Sequence, residues 1–258
     1  MSGRPGHGGA DFDVSVEGLL AYVSGGQGAN PFQIVSVDRD GRFQPLWAEA
    51  GLYGSPKLSP DGTRLALTIL RDGNFDVWVF DLERNVATRL TFADGYDADQ
   101  VWSPDGKWVA FSSDRDNVFK VYRKRADGSG DVELVAECQD EQKQCFPSAW
   151  SLDGRVIAVG TGASDIWMIP VDGDGEPEPY LASPALEDFP SFSPDGKWVA
   201  YQSSESGSPA IYVQTYPLGG GKWQVSEDMG VRPTWSRDGG EILYRTDEGI
   251  SVVSVDLS

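Results

Sequence analysis

The octapeptide SPDGKWVA occurs twice in this chain, at residues 103–110 and again, unchanged, at 193–200. Its turn, SPDG or a close variant, starts at residues 15, 59, 103, 151, 193 and 236, so that successive copies lie 42 to 48 residues apart. Proline presets φ for the turn, aspartate bonds nearby backbone amides, and glycine adopts the left-handed conformation that returns the chain to a strand. Six units of this period indicate a propeller or a solenoid.

Short strand-like segments flank every turn. The segment after the turn is almost continuously apolar, as at 65–70 and 197–203, which is expected of a strand covered on both faces. A polar loop, a third strand such as 76–80 and a fourth such as 87–92 complete the unit. No segment has a sustained helical period. We therefore predict an all-β fold, a six-bladed β-propeller of four-stranded antiparallel blades.

The repeat also predicts the domain boundaries. Residues 1–10 are Gly-rich and form a flexible lead-in, and 11–258 form the propeller, with blades at about 11–48, 53–92, 97–137, 145–183, 187–227 and 230–258. The last unit ends with its third strand, at 250–255. We therefore expect a last blade of only three strands, whose apolar edge favours self-association or pairing with another chain.

Composition narrows the function classes. The chain has 40 acidic and 21 basic residues, a net charge of −19, which argues against nucleic acid and favours basic or neutral partners or cations. The single histidine, His7, lies in the lead-in, which argues against Ser-His-Asp or Cys-His catalysis and against zinc sites built on histidine. The sequence shows neither a membrane-spanning apolar run nor the apolar core of a signal peptide, so we expect a fragment without membrane contact of its own.

The candidate binding residues lie where the chain enters each innermost strand, at the expected mouth of the central channel. They differ from blade to blade while the packing residues repeat, as expected of a binding surface on a repeated scaffold. A mostly acidic mouth predicts a cation such as calcium, a basic peptide end or a polar ligand; solvated loop residues are the alternative. No other cofactor is expected. The predicted ligand-binding residues are Asp11, Tyr53, Asp97, Asp99, Gln144, Asp188 and Arg232.

Cys138 and Cys145 are the two cysteines, and both lie on the connection between the third and fourth blades. This is the longest spacing in the repeat, so a disulfide here would staple an enlarged loop. The compartment decides between a disulfide and two thiols, and both alternatives stay open.

Several segments resemble a known repeat. SPDGKWVAFSS at 103–113, FDVWVFDL at 75–82 and ATRLTF at 87–92 resemble the WD40-like repeat PD40 of the TolB propeller. Over nearly the whole chain, the sequence is similar to the C-terminal propeller of bacterial membrane-bound serine/threonine protein kinases, notably FPSFSPDGKWVAYQSSESG at 189–207 and RPTWSRDGGEILY at 232–244. This second resemblance implies an extracytoplasmic propeller that senses or binds while a separate domain catalyses.

Three functional hypotheses follow. The main one is a non-catalytic binding or sensory module, the extracytoplasmic ligand- or protein-binding domain of a bacterial serine/threonine kinase. The TolB resemblance implies an alternative, a periplasmic propeller that docks a partner's peptide in its channel. A further alternative is a glycosidase-type hydrolase that uses two carboxylates. The Asp box of sialidase propellers does not match, because Gly106 directly follows Asp105.

Overall fold

A computed structural model describes residues 12–14, 20–24, 32–38, 40–138, 144–173 and 175–256. The lead-in, Asp11 and the turn at 15–18 lie outside these residues. Twenty-two strands, and no helix, are found in the described part of the chain. They form six antiparallel blades, five of four strands and a last one of three, as the repeat predicts.

Blades 1 and 2 share one long strand, β4, whose first part closes blade 1 and whose second part is the innermost strand of blade 2. The strands of this pair are β1 Phe12–Val14, β2 Leu20–Ser24, β3 Phe32–Val37, β4 Phe43–Leu58, β5 Arg64–Arg71, β6 Asn74–Asp81 and β7 Val86–Arg89.

In the remaining blades each strand pairs with the next along the chain. Blade 3 consists of β8 Asp97–Trp102, β9 Trp108–Ser113, β10 Lys120–Arg125 and β11 Glu133–Glu137. Blade 4 consists of β12 Cys145–Trp150, β13 Val156–Thr161, β14 Ile166–Pro170 and β15 Glu178–Leu181. Blade 5 consists of β16 Glu187–Phe192, β17 Trp198–Ser203, β18 Ala210–Thr215 and β19 Lys222–Gln224. Blade 6 consists of β20 Val231–Trp235, β21 Glu241–Arg245 and β22 Ile250–Ser254.

The repeated turn is a structural part of blades 2 to 6. In blade 3 the Ser103 hydroxyl donates to Asp105 Oδ1 at 2.7 Å and accepts from the amide of Trp108 at 2.9 Å, while Asp105 Oδ1 also accepts from the amide of Lys107. Gly106 closes the turn with a φ of +67°. The same serine-to-aspartate bond recurs at the turns beginning at 59, 151, 193 and 236. The repeated residues therefore serve the fold.

The core lies between neighbouring blades. The second strands of blades 2 to 5 are buried on both faces. Phe111 of β9 packs with Val77 of blade 2 and Tyr122 of its own blade. Indole groups join adjacent innermost strands: Trp102 Nε1 donates to the Lys57 carbonyl at 2.8 Å, and Trp235 Nε1 donates to the Ser191 carbonyl at 3.0 Å. This packing fixes the innermost strands around one axis and positions the residues of the channel.

The outer edge of blade 6 ends at β22. Ile250 and Val252 are 36% and 53% exposed there, and among the described residues no strand pairs with this edge. Self-association through 250–255 stays a prediction.

Candidate functional site

All six innermost strands contribute to one small cavity on the channel axis. Its volume is about 70 Å³, enough for a few water molecules or the end of one side chain. The walls combine three phenylalanines, four prolines and a few polar groups. The lining residues are Phe12, Ser55, Pro56, Lys57, Asp99, Gln100, Phe146, Pro147, Ser148, Phe189, Pro190, Ser191, Arg232, Pro233 and Thr234.

A β-bulge in the innermost strands positions these residues. In blades 2, 3, 5 and 6 the residue four positions before the turn serine has a left-handed backbone, with φ between 50° and 55°. The pairing register shifts at this position in each of the four strands. These residues are Ser55, Asp99, Phe189 and Arg232. Non-glycine residues rarely adopt this conformation, and such strain collects at functional sites.

Blade 4 departs from the rule for a covalent reason. Pro147 stands at the equivalent position, and its ring holds φ near −65°, so the left-handed conformation is not accessible. The register of β12 still shifts, between Pro147 and Ala149. Blade 4 contributes Phe146, Pro147 and Ser148 to the cavity wall.

The cavity carries opposite charges on a largely apolar wall. Asp99 contributes a carboxylate, and Ser112 Oγ donates to it at 3.3 Å. Arg232 contributes a guanidinium that lies 4.4 Å from the centre of the Phe189 ring, within cation–π range. A group entering the channel therefore meets an apolar wall, a hydrogen-bond acceptor and a cation. The end of a long polar side chain, or a chain terminus, has the apolar and polar groups that such a cavity can bind.

Of the predicted ligand-binding residues, the structure brings Asp99 and Arg232 together in the cavity. Tyr53 instead lines a crevice of about 290 Å³ between blades 1 and 2, with Trp47 and Trp78. The backbone carbonyl of Gln144 accepts a bond from the Gly162 amide.

Two predicted carboxylates are buried. Asp97 is 1% exposed and ion-paired with Arg115 at 3.2 Å. Asp188 is 9% exposed, accepts from the amide of Phe189 at 2.8 Å and lies so close to Gly160 that a Cβ there would be 2.2 Å from its Oδ1. Ligand contact by these residues stays a prediction, and Asp11 lies outside the described residues.

Most of the apolar wall was not predicted from the sequence. The sequence pattern did not single out Phe12, Phe146 or Phe189, although all three line the cavity. A signal existed: Pro56, Pro190 and Pro233 each stand three positions before a turn serine, where a central strand should not tolerate proline. These prolines mark the bulge, and the residues beside them line the axis.

The cysteines are joined in the structure, where Cys138 and Cys145 form a disulfide between the end of blade 3 and the start of β12. Within the described residues no group of three or more His, Cys, Asp or Glu is arranged to hold a metal ion. In the same part of the chain, no helix has the length and apolar character needed to cross a membrane.

Comparison with known proteins places this geometry in a family. The family model described as the TolB beta propeller domain, PD40, matches residues 14–159. A protein of Agrobacterium fabrum with no assigned role is 30% identical over 155 residues, 55% of this chain and 52% of its own. The Tol-Pal system protein TolB of Anaeromyxobacter dehalogenans is 29% identical over 123 residues, 46% of this chain and 27% of its own.

Among solved structures, TolB from Acinetobacter baumannii superimposes with a TM-score of 0.72 at 24% identity, over 88% of this chain and 56% of that one. The chain thus spans between about a quarter and somewhat over half of the length of these proteins. At that identity the structural likeness shows the fold, and the family model adds the sequence evidence. The six-fold repeat, its turn chemistry and the match over more than half of the chain agree: this chain belongs to the TolB β-propeller (PD40) family.

Proposed function

We propose that this chain is a non-catalytic docking propeller, which binds a segment of a partner protein at the mouth of its channel. The observation that carries the proposal is the cavity built by all six innermost strands. It joins a carboxylate, a guanidinium and three phenylalanines in a space of about 70 Å³. Such a space suits the end of one side chain or chain terminus better than a free metabolite, since ligand pockets are usually about 300–1,000 Å³.

Family membership supports docking over the kinase-sensor hypothesis. A relative of this chain is named as a component of the Tol-Pal system, which is a system of several proteins by its name. The comparisons therefore favour the TolB alternative that the PD40 segments imply.

An extracytoplasmic location is part of the proposal. The disulfide between Cys138 and Cys145 supports it, because disulfides persist mainly outside reducing compartments.

The cavity gives little support to hydrolysis by paired carboxylates. A glycosidase needs two acids about 5–9.5 Å apart around the scissile bond. Among the described residues that line the cavity, Asp99 is the only carboxylic acid. The other lining residues, among them Lys57, Gln100 and Arg232, offer no second acid. Docking therefore accounts for the residues that line the cavity better than hydrolysis does.

Selection from a library of random linear peptides displayed on phage tests the proposal. Peptides enriched on the wild-type chain should lose about tenfold in affinity on the Asp99→Asn, Arg232→Gln double variant, because charge-assisted bonds in the cavity are removed. The matched control is Glu83→Gln, Arg84→Gln, in the exposed turn between β6 and β7. Equal binding to the wild type and the cavity variant would contradict channel docking.

A further inference from the structure

Four aromatic rings form a continuous track across the mouth end of blades 2, 3 and 4. Phe75 and Tyr96 have ring centres 5.0 Å apart, Tyr96 and Phe119 are 5.7 Å apart, and Phe119 and Phe146 are 5.6 Å apart. The first three rings are half-buried and so keep part of their surface in solvent. Phe146 is buried and lines the channel cavity. The aromatic track therefore leads from the rim of blade 2 into the cavity.

Apolar side chains also recur around the mouth at one position of the repeat. Seven residues before the turn serine stand Leu52, Tyr96, Leu186 and Met229, which we call the mouth collar. Leu52 and Leu186 are 50% and 58% exposed, and they belong to blades 2 and 5, on opposite sides of the axis. An exposed leucine is ordinary by itself, but equivalent apolar positions around one opening indicate a contact surface.

The loops of the mouth are acidic. The loops 227–230 and 246–249 carry four carboxylates and no lysine or arginine. Beside the aromatic track, Asp94 is exposed and Asp114 accepts a bond from the Tyr96 amide at 2.7 Å. The nearby Arg115 is engaged by the buried Asp97. The acidic surface at this end of the propeller therefore favours partners that carry positive charge.

The cavity is too small to hold a peptide segment, so the rest of a docked segment must lie on the surface around it. Steps of 5.0 to 5.7 Å between four rings give a track of at most about 16 Å, or roughly five residues of extended chain. Lysine and arginine also stack favourably on aromatic rings. The surface thus offers aromatic rings that can contact apolar or cationic side chains, and carboxylates that lie beside those rings.

Resting on the proposed docking function, we infer that the partner segment is an extended, basic peptide with interspersed apolar side chains. It places one side-chain end in the channel cavity and crosses blades 4, 3 and 2 along the aromatic track. Asp94 beside the track binds a lysine or arginine of the segment, the acidic loops of blade 6 add long-range attraction, and the collar residues Leu52, Leu186 and Met229 contact the body of the partner. The chemistry selected is a Lys- or Arg-rich segment with Phe, Leu or similar residues between the charges.

Fluorescence anisotropy with three labelled synthetic peptides tests this inference on the full chain. The first is Lys-Phe-Lys-Leu-Lys-Phe-Lys; in the second every Lys is Glu, and in the third every apolar residue is Ala. We expect the first to bind best, with an affinity that falls as NaCl is raised. Phe119→Ala should weaken it about fivefold and Asp94→Lys about threefold. Phe43→Ala is the control, since Phe43 is 64% exposed on the outer strand of blade 1.

Each outcome separates this inference from the proposed function. If Phe119→Ala and Asp94→Lys bind the first peptide as the wild type does, while the Asp99→Asn, Arg232→Gln variant loses it, docking stands and the aromatic track is wrong. If no basic peptide binds, or the Glu peptide binds equally well, the inferred partner chemistry is overturned. Asp94 is exposed, so its variant stays informative even if Phe119→Ala fails to fold.

Discussion

Substitution of two aspartates in the innermost strand of blade 3 should affect different properties, stability for one and peptide binding for the other. Asp97 is 1% exposed and ion-paired with Arg115, whose guanidinium also lies 4.6 Å from the centre of the Tyr122 ring. Breaking a buried ion pair costs about 3–5 kcal/mol because one charge is left uncompensated. Arg115 retains 20% exposure and can recover some hydration. We therefore expect Asp97→Asn to lower the free energy of unfolding by about 3 kcal/mol.

Asp99 is the matched control, two residues along the same strand. It is half-buried at the cavity, so Asp99→Asn should change the free energy of unfolding by less than about 1 kcal/mol while weakening peptide binding. Urea unfolding monitored by tryptophan fluorescence measures both variants. The double variant Asp97→Asn, Arg115→Met should recover at least about 1 kcal/mol of the loss, because the unpaired charge is gone.

One pair of results for Asp97→Asn would contradict a structural role for Asp97. If Asp97→Asn unfolds within about 0.5 kcal/mol of the wild type and abolishes peptide binding, then Asp97 binds the ligand and does not hold the blade together. In that case the ion pair with Arg115 would contribute no more than an exposed one.

Three further predictions concern the scaffold. The Ser103 hydroxyl and the Lys107 amide hold the pKa of Asp105 at about 2, so the stabilisation by its carboxylate is complete above about pH 5 and is lost as pH falls from about 4 to 2. Asp105→Asn should therefore make the free energy of unfolding depend less on pH in this range, by under about 1 kcal/mol because the side chain is half exposed. Ser55→Gly should raise the free energy of unfolding by up to about 1 kcal/mol in urea, because glycine adopts the φ of 50° without strain; a loss of stability would reject the bulge. Intact mass after alkylation should show no reactive thiol on Cys138 or Cys145 before reduction, and two alkylated thiols would contradict the disulfide. Reduction should lower the free energy of unfolding by about 2 kcal/mol.

The sequence by itself determined the blade count and the strand order within each blade. The reason is that these features depend on local chemistry. Ser103, Asp105 and Gly106 form their turn almost entirely with each other, and the same bonds recur at every described copy. The apolar segment after each turn requires cover on both faces wherever it lies, so it predicts packing between blades.

Only the tertiary structure decided which polar residues face the axis. Asp97 and Asp99 stand at alternate positions of β8, where a regular strand would turn both to one side. The bulge at Asp99 adds one residue, interrupts this alternation and leaves Asp97 in an ion pair with Arg115 while Asp99 lines the cavity. The position of Arg115 in the turn between β9 and β10, and the approach of six innermost strands to one axis, depend on long-range contacts that local sequence does not encode.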